Sequence, residues 1–189
     1  MSRDKIIVAV TGASGFQLAF NLLGELKKKK IETHVIVSNA ADKVREYETS
    51  ISKKDIEKLS DFSYKEESIH TRICSGSFDS DGMIVIPCSM KTLGFISNGI
   101  DANSIARAAG VQLKSGKKVV LVPRETPMNL AQLRNLVSAS EIGCKIVFPM
   151  MCHYIKPENV EDMEDYIIGR ILEILGVKHE KYRRWDENE

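Results

Sequence analysis

The chain has 189 residues, a length that suits one domain built around a single core. It carries 27 lysines and arginines against 26 aspartates and glutamates, so its net charge is +1, and 43% of its residues are hydrophobic. This apolar share argues against disorder, and the balanced charge argues against bulk nucleic-acid binding, which needs a basic excess. A local basic site for a small anion remains open.

Four cysteines are present, with no CxxC pair and no histidine at zinc spacing, which argues against a disulfide scaffold and a structural metal. The first apolar run covers only residues 6–10, too short for the core of a signal peptide. No stretch approaches the roughly 18 apolar residues that a spanning helix needs. We therefore expect a cytoplasmic protein with reduced thiols and with neither a membrane nor a nucleic-acid partner.

Short apolar runs alternate along the chain with segments of helical period. In chain order, the pattern predicts a strand at residues 6–10, a helix at 17–30, a strand at 33–37, a helix ending at about Glu48, a strand at 83–86, a helix at 103–113, a strand at 119–122, a helix at 130–140, a strand at 145–148 and a helix at 160–175. Alternation with short connections favours a parallel sheet with right-handed crossovers. We predict an α/β fold with helices on both faces of the sheet.

The last residues, 177–189, form a charged tail after a domain at residues 1–176, and the tail carries the single tryptophan, Trp185. A lone aromatic side chain in a charged tail often docks onto a protein surface. We expect this tail to dock at a subunit interface. Packing onto the chain's own core is the alternative.

Ligands of open parallel sheets bind beyond the carboxyl ends of the strands. Five loops follow predicted strands and can face one crevice, at residues 12–15, 38–41, 87–92, 123–127 and 150–157. The first loop holds Gly12 and Gly15 before a helix, so its backbone N–H groups can approach an anion. It matches neither the full GxGxxG nor the Walker pattern, and a tight turn without a ligand is equally compatible.

Three further loops carry polar side chains at these strand ends. Ser38 is either an N-cap or a ligand contact, and Ser89 and Thr92 at a helix start suit a phosphate or a polar ring edge. Arg124 follows a strand directly, where it either faces the crevice or pairs with Glu125. Glu48 ends a helix, where a carboxylate opposes the helix dipole, which indicates a nearby cation or an acid–base role. Cys88 has no local base, so a nucleophilic cysteine is not indicated.

The combined motifs point to one family. With TGASG at residues 11–15, SGSF at 75–78, GMIVIPCSMKTL at 82–93, VPRETP at 122–127 and RW at 184–185, the chain resembles the UbiX-like flavin prenyltransferases, long described as aromatic-acid or phenylacrylic-acid decarboxylases. The resemblance covers essentially the whole chain, in order and with matching spacing. Each motif is weak by itself, whereas five in register are specific.

The resemblance implies a single Rossmann-like (flavodoxin-like) domain with three layers. It also implies a reaction: such enzymes join the dimethylallyl group of dimethylallyl phosphate, or of the pyrophosphate, to N5 and C6 of reduced FMN. They hand the prenylated FMN to a UbiD-type decarboxylase. They need no metal and are homo-oligomers, usually dodecamers, with their sites at subunit interfaces.

The resemblance also implies roles for individual residues. FMN-binding positions are Gly12, Ala13, Ser14, Ser38, Ser89, Met90, Lys91, Thr92 and Arg124. The cradle for the prenyl phosphate comprises Arg107, Lys114, Tyr154 and Arg170, with Trp185 contributed across an interface. Catalytic positions are Glu48, Glu125 and Ser14, and Ser14 also borders the phosphate. Gly110 stands where the family usually has an acidic residue, which leaves the ionic partner of Arg107 open.

These residue types fit the implied chemistry. A phosphate that leaves an allylic carbon without magnesium needs fixed cations and hydroxyls around it. Ring closure needs a base, and either the released phosphate or Glu125 could be that base. Two other functions remain, a flavin-dependent redox or decarboxylating enzyme of the same superfamily and a non-catalytic FMN carrier. The set of Lys114, Tyr154 and Arg170 has no obvious purpose in the first, and the second predicts FMN binding without turnover.

Overall fold

A computed structural model describes residues 4–185 of the chain. In this range six strands form one sheet: β1 (Lys5–Val10), β2 (Glu32–Val37), β3 (Phe62–Tyr64), β4 (Gly82–Cys88), β5 (Lys118–Pro123) and β6 (Lys145–Ile146). Their order is β3-β2-β1-β4-β5-β6, and every neighbouring pair is parallel. The order reverses between β1 and β4, which makes that point the expected ligand site of the sheet.

Helices cover both faces of the sheet. They are α1 (Phe16–Lys28), α2 (Asn39–Glu48), α3 (Lys53–Leu59), α4 (Met90–Ser97), α5 (Ser104–Lys114), α6 (Leu130–Glu141) and α7 (Val160–Leu175), and a 3₁₀ turn spans Arg72–Cys74. The parallel sheet with helices on both faces confirms the predicted three-layer α/β fold.

Two hydrophobic cores lie on opposite faces of the sheet because successive strand residues alternate sides. In β1, Val8 packs in the core that receives α1 and α7, and Ala9 packs in the core that receives α4 and α5. Both residues have no exposed surface, as expected for a central parallel strand. Any side chain on the outer surface of α5 is therefore separated by the sheet from one on α7.

The five predicted strands are all present, but β6 is shorter than residues 145–148. The sequence pattern did not indicate β3 or α3. β3 has three residues with mostly exposed side chains, so it shows neither an apolar run nor a clear alternation. α3 has a readable signal, a capping box between Ser52 and Asp55, although only Ile56 of the helix is buried. No helix among residues 4–185 is long and apolar enough to cross a membrane.

Candidate functional site

A cleft of about 400 Å³ opens at the carboxyl ends of β1, β4 and β5. It is lined by Gly12, Ala13, Ser14, Val44, Glu48, Ser89, Met90, Arg124 and Glu125. Three of the five loops predicted from the sequence therefore meet at the switch point of the sheet. Val44 is a lining residue that the sequence did not reveal, because a single valine in a charged helix carries no functional signal.

Thr11 joins the two strand ends that form the floor of the cleft, and sequence reasoning gave it no separate role. Its hydroxyl donates to the carbonyl of Pro87 at 2.7 Å and accepts from the amide of Ser89 at 2.7 Å. The side chain is 2% exposed, so these hydrogen bonds are shielded from water. A buried threonine directly after a strand is the signal that could have identified it.

Two glycines shape the loop between β1 and α1. A Cβ on Gly12 would lie 2.5 Å from the Cβ of Ala40, so only glycine lets this loop lie against the start of α2. Gly15 has φ +113°, in the left-handed region, and it precedes α1 without a capping side chain of its own. Gly12 lines the cleft, and the amide of Gly15 donates to the carboxylate of Glu48.

Glu48 supplies the missing cap of α1. Its Oε2 accepts hydrogen bonds from the amides of Gly15 at 3.0 Å and Phe16 at 3.2 Å. Burial by itself would raise the pKa of Glu48, but hydrogen bonds from the Ser14 hydroxyl and these amides, with the charge of Arg124, lower it below its ordinary value. The sequence placed this carboxylate at the unfavourable end of α2, and the fold places it at the favourable end of α1. It is therefore ionised beside the cleft.

Two of the serines predicted to contact FMN, Ser38 and Ser89, act as helix caps. Ser38 is 4% exposed and accepts from the amide of Ala41 at 3.1 Å, and it is not among the residues that line the cleft. Ser89 accepts from the amide of Thr92 at 3.3 Å and its hydroxyl lies 3.1 Å from that of Thr92. Lys91 is exposed and lines a neighbouring groove instead. Capping thus accounts for the geometry of both serines, and Ser89 still faces the cleft.

Arg124 and Glu125 lie at the far rim of the cleft, after β5. The amide of Arg124 donates to the carbonyl of Cys88 at 3.3 Å, which ties this loop to β4. Glu125 accepts from the amide of Thr126 at 3.1 Å, and among the described residues no ion pair joins its carboxylate to Arg124. Both residues line the cleft.

The predicted phosphate-binding cations on α5, Arg107 and Lys114, do not line this cleft. Arg107 donates to Asp101 at 2.6 Å and to the carbonyl of Cys74 at 3.4 Å. A Cβ on Gly110 would lie 3.4 Å from Oδ1 of Asp101, so Asp101 fills the place of the acidic residue that position 110 lacks. Lys114 ends α5 with its Cε 3.8 Å from where a Cβ on Gly76 would be.

The remaining predicted residues gather at α7. The ring of Tyr154 lies edge-on to Trp185 at 5.7 Å and to Tyr166 at 6.0 Å. Burial raises the pKa of Tyr154, and the nearby charge of Arg170 acts against that rise. Arg170 donates to Glu173 at 2.7 Å. The described part of the tail, residues 177–185, packs on the chain's own α7, while residues 186–189 of the predicted tail lie outside the described residues.

One chain thus divides the predicted phosphate cradle between two faces of the sheet. Arg107 and Lys114 belong to α5, which packs into one core, and Tyr154 and Arg170 belong to the region of α7, which packs into the other. Neither a metal centre nor a reactive cysteine is indicated in the part of the chain that the structure describes. In residues 4–185 no group of three His, Cys, Asp or Glu side chains could hold a metal ion, and burial raises the pKa of the Cys88 thiol.

The cleft fits a planar amphipathic ring. Val44 and Met90 give it an apolar wall, while hydroxyls of Ser14 and Ser89 and the guanidinium of Arg124 give it polar edges. A flavin needs this combination, because its ring system is flat and apolar on its faces and carries hydrogen-bonding atoms along its edges.

Comparisons with known proteins agree with this geometry. The family model described as Flavoprotein matches residues 1–172. A "Probable UbiX-like flavin prenyltransferase" of Sedimentibacter hydroxybenzoicus is 43% identical over 183 residues, which cover 96% of this chain and 97% of the relative.

Two solved structures are also similar. The crystal structure of AnUbiX (PadA1) in complex with FMN and dimethylallyl pyrophosphate has a TM-score of 0.95 at 37% identity and covers 98% of each chain. The dodecameric FMN-dependent Ubix-like decarboxylase from Escherichia coli O157:H7 has a TM-score of 0.93 at 43% identity, covering 96% of this chain and 99% of that one. The chain is therefore a flavoprotein. Within that class it belongs to the UbiX-like flavin prenyltransferase family, as its motifs predicted.

Proposed function

We propose that this chain is a flavin prenyltransferase, which joins the dimethylallyl group of dimethylallyl phosphate to N5 and C6 of reduced FMN. The observation that carries the proposal is the cleft at the switch point, where an ionised Glu48 and Ser14 face Arg124 and Glu125. The solved relative that holds FMN and dimethylallyl pyrophosphate supports FMN and a dimethylallyl donor that carries phosphate, and the pyrophosphate is the alternative donor. A UbiD-type decarboxylase is the proposed recipient of the product.

FMN is assigned to the cleft. Ser14, Ser89, Met90 and Arg124 line it and would contact the flavin directly. Gly12 and Ala13 also line the cleft and would shape the loop that holds the flavin. Ser38, Lys91 and Thr92 hold or flank the adjacent helix starts. When bound, reduced FMN supplies the electron-rich ring atoms to which the prenyl group is attached. The residues that line the cleft would hold the ring so that these atoms face the dimethylallyl group of the donor.

Glu48 and Glu125 have different tasks. The Glu48 carboxylate is held by two amides and the Ser14 hydroxyl, so it offers a fixed negative charge near the carbon that becomes positive as the phosphate leaves. Glu125 keeps its carboxylate at the rim of the cleft, where it can accept a proton. The departing phosphate is the other candidate for that proton.

The donor phosphate is assigned to a cradle built by more than one chain. Arg107 and Lys114 of one chain would meet Tyr154 and Arg170 of another, because the sheet keeps these pairs apart within a single chain. Trp185 would close the cradle beside Tyr154. The dodecameric relative supports a homo-oligomer of that size. A cytoplasmic location is also proposed, since all four cysteines are free thiols.

The direct test is incubation with reduced FMN and dimethylallyl phosphate, followed by mass spectrometry of the released flavin. A flavin with five added carbons is the expected product. The absence of such a flavin with both the monophosphate and the pyrophosphate donor would contradict the proposal. FMN binding without turnover would instead identify a carrier, and CO2 release without a UbiD-type partner would identify a decarboxylase.

A further inference from the structure

The C-terminal segment, residues 177–185, is seated on α7 at Gly169. A Cβ on Gly169 would lie 2.5 Å from Cε1 of Tyr182 and 2.7 Å from Cε1 of His179. Glycine is therefore the residue that lets both rings approach the helix backbone at this point. We call this gap the Gly169 notch.

Glu173 connects the seated segment with Arg170. One carboxylate oxygen, Oε2, accepts from Nη1 of Arg170 at 2.7 Å. The other oxygen, Oε1, accepts from the hydroxyl of Tyr182 at 2.9 Å and lies 3.1 Å from Nη2 of Arg184. A single carboxylate thus holds the guanidinium on one side and the C-terminal segment on the other.

His179 also points toward this carboxylate. Its Nδ1 accepts from the amide of Lys181 at 3.1 Å, which assigns the ring proton to Nε2. Nε2 makes no hydrogen bond in the described part of the chain and lies 3.6 Å from Oε1 of Glu173, with the side chain 3% exposed. The segment therefore directs three polar groups at Glu173.

Arg170 keeps free donors despite these contacts. Its side chain is 52% exposed, and in the described residues only Nη1 is engaged, by Glu173 and more distantly by Tyr182 at 3.4 Å. A guanidinium has five N–H donors in one rigid plane, so fixing one edge fixes the direction of the others. An anion that binds the remaining donors meets a cation that has already lost its rotational freedom.

We propose that residues 177–185, seated in the Gly169 notch, position Arg170 for the donor phosphate through Tyr182 and Glu173. The inference rests on the proposed function, because the anion is the phosphate of the prenyl donor. Tyr182 and Glu173 are positioning residues that act through Arg170 and need not touch the donor.

The test compares Gly169→Ala with Gly24→Ala in FMN-loaded full-length protein. Gly24 lies inside α1 with nothing within 4 Å of the place that a Cβ would occupy, so it controls for the same substitution in a helix without a seated ring. Alanine is the stronger helix former at both positions, and any loss in Gly169→Ala therefore comes from the notch. Hydrogen exchange of residues 177–185 is measured in the FMN-loaded protein without donor. Calorimetry gives the dissociation constant of dimethylallyl phosphate with oxidised FMN bound, and a separate titration of FMN-free protein gives that of FMN.

Gly169→Ala should release the segment, raise the dissociation constant of the donor about tenfold and leave that of FMN within about twofold. Gly24→Ala should change none of the three. Tyr182→Phe keeps the ring in the notch and removes only the hydroxyl, so it should retain slow exchange and still weaken donor binding about fivefold. This variant decides the matter if Gly169→Ala does not fold.

The proposal is overturned if exchange in residues 177–185 is unchanged in Gly169→Ala, or if donor affinity is unchanged in Tyr182→Phe. It is also overturned if the segment is released while donor affinity stays the same. A wild-type protein that binds no donor overturns the proposed function and this inference together. If instead the wild type binds the donor and the variants bind it equally well, only this inference is overturned.

Discussion

Glu48 shows how the fold changes the meaning of a residue. In the sequence it is a carboxylate at the unfavourable end of its own helix, which indicated either a nearby cation or an acid–base role. In the structure it caps α1 through the amides of Gly15 and Phe16, with Arg124 as a charged neighbour. The prediction of a cation was correct, but the larger part of the explanation is a helix N-terminus contributed by another segment.

Replacing Glu48 by glutamine should remove the fixed charge and keep the shape of the side chain. We expect the turnover number to fall at least about 100-fold and FMN affinity to change little, because the lost interaction acts mainly on the developing positive charge. Steady-state rates and an FMN titration measure the two effects. A variant with wild-type turnover would remove Glu48 from the catalytic set.

The same carboxylate predicts a pH dependence of stability. The pKa of Glu48 is lowered on folding, so its contribution is fully present above the unfolded pKa, near 4.5, and is lost as pH falls through the lower folded pKa. The melting temperatures of wild type and Glu48→Gln should therefore differ at neutral pH and converge below about pH 4.5. A difference that persists unchanged in acid would contradict an ionised cap on α1.

The close contact between Gly12 and Ala40 allows a prediction about stability. Gly12→Ala places a methyl group 2.5 Å from the Cβ of Ala40, which has no flexible side chain that could move away. We expect a loss of about 1–3 kcal/mol in the free energy of unfolding, measured in urea, together with weaker FMN binding. Gly24→Ala, which has open space, should be neutral or slightly stabilising.

At the scale of elements, the sequence predicted what depends on local pattern and missed what depends on packing. β1 and β4 are continuous apolar runs and were assigned correctly. β3 is a short edge strand that exists because β2 offers it a parallel partner, and no local pattern records that pairing. Three of the five predicted site loops meet at the cleft because strand ends of a parallel sheet converge, whereas the loops at residues 38–41 and 150–157 do not line it. The capping of α1 by Glu48 needed coordinates.

Two helix caps can be compared to test whether Ser38 is only a cap or also contacts FMN. Ser38 and Ser52 cap α2 and α3 in the same way, but only Ser38 lies in a predicted FMN loop. Each alanine variant should lose about 1 kcal/mol of unfolding free energy in urea, since each removes one cap. Ser38→Ala alone should also bind FMN more weakly by fluorescence titration. Equal FMN affinity in the two variants would show that Ser38 is only a cap.

At the scale of the whole molecule, the fold of one chain separates the two halves of the proposed phosphate cradle. The α5 cations and the α7 residues lie on opposite faces of one sheet, so the proposed phosphate site requires at least two chains. This division could not be read from the sequence, which places all these residues at plausible spacings but says nothing about which face each occupies. The dodecameric relative indicates the kind of assembly that would bring them together.

Subunit mixing tests that division directly. Lys114→Ala and Arg170→Ala are each purified, shown to be inactive, and then dissociated and reassembled together in equal amounts. If the cradle is shared between chains, about one quarter of the mixed sites contain both intact residues, and prenylated FMN should reappear at roughly that fraction of wild-type yield. Mixed oligomers, confirmed by native mass spectrometry, that form no prenylated FMN would contradict a cradle built from two chains.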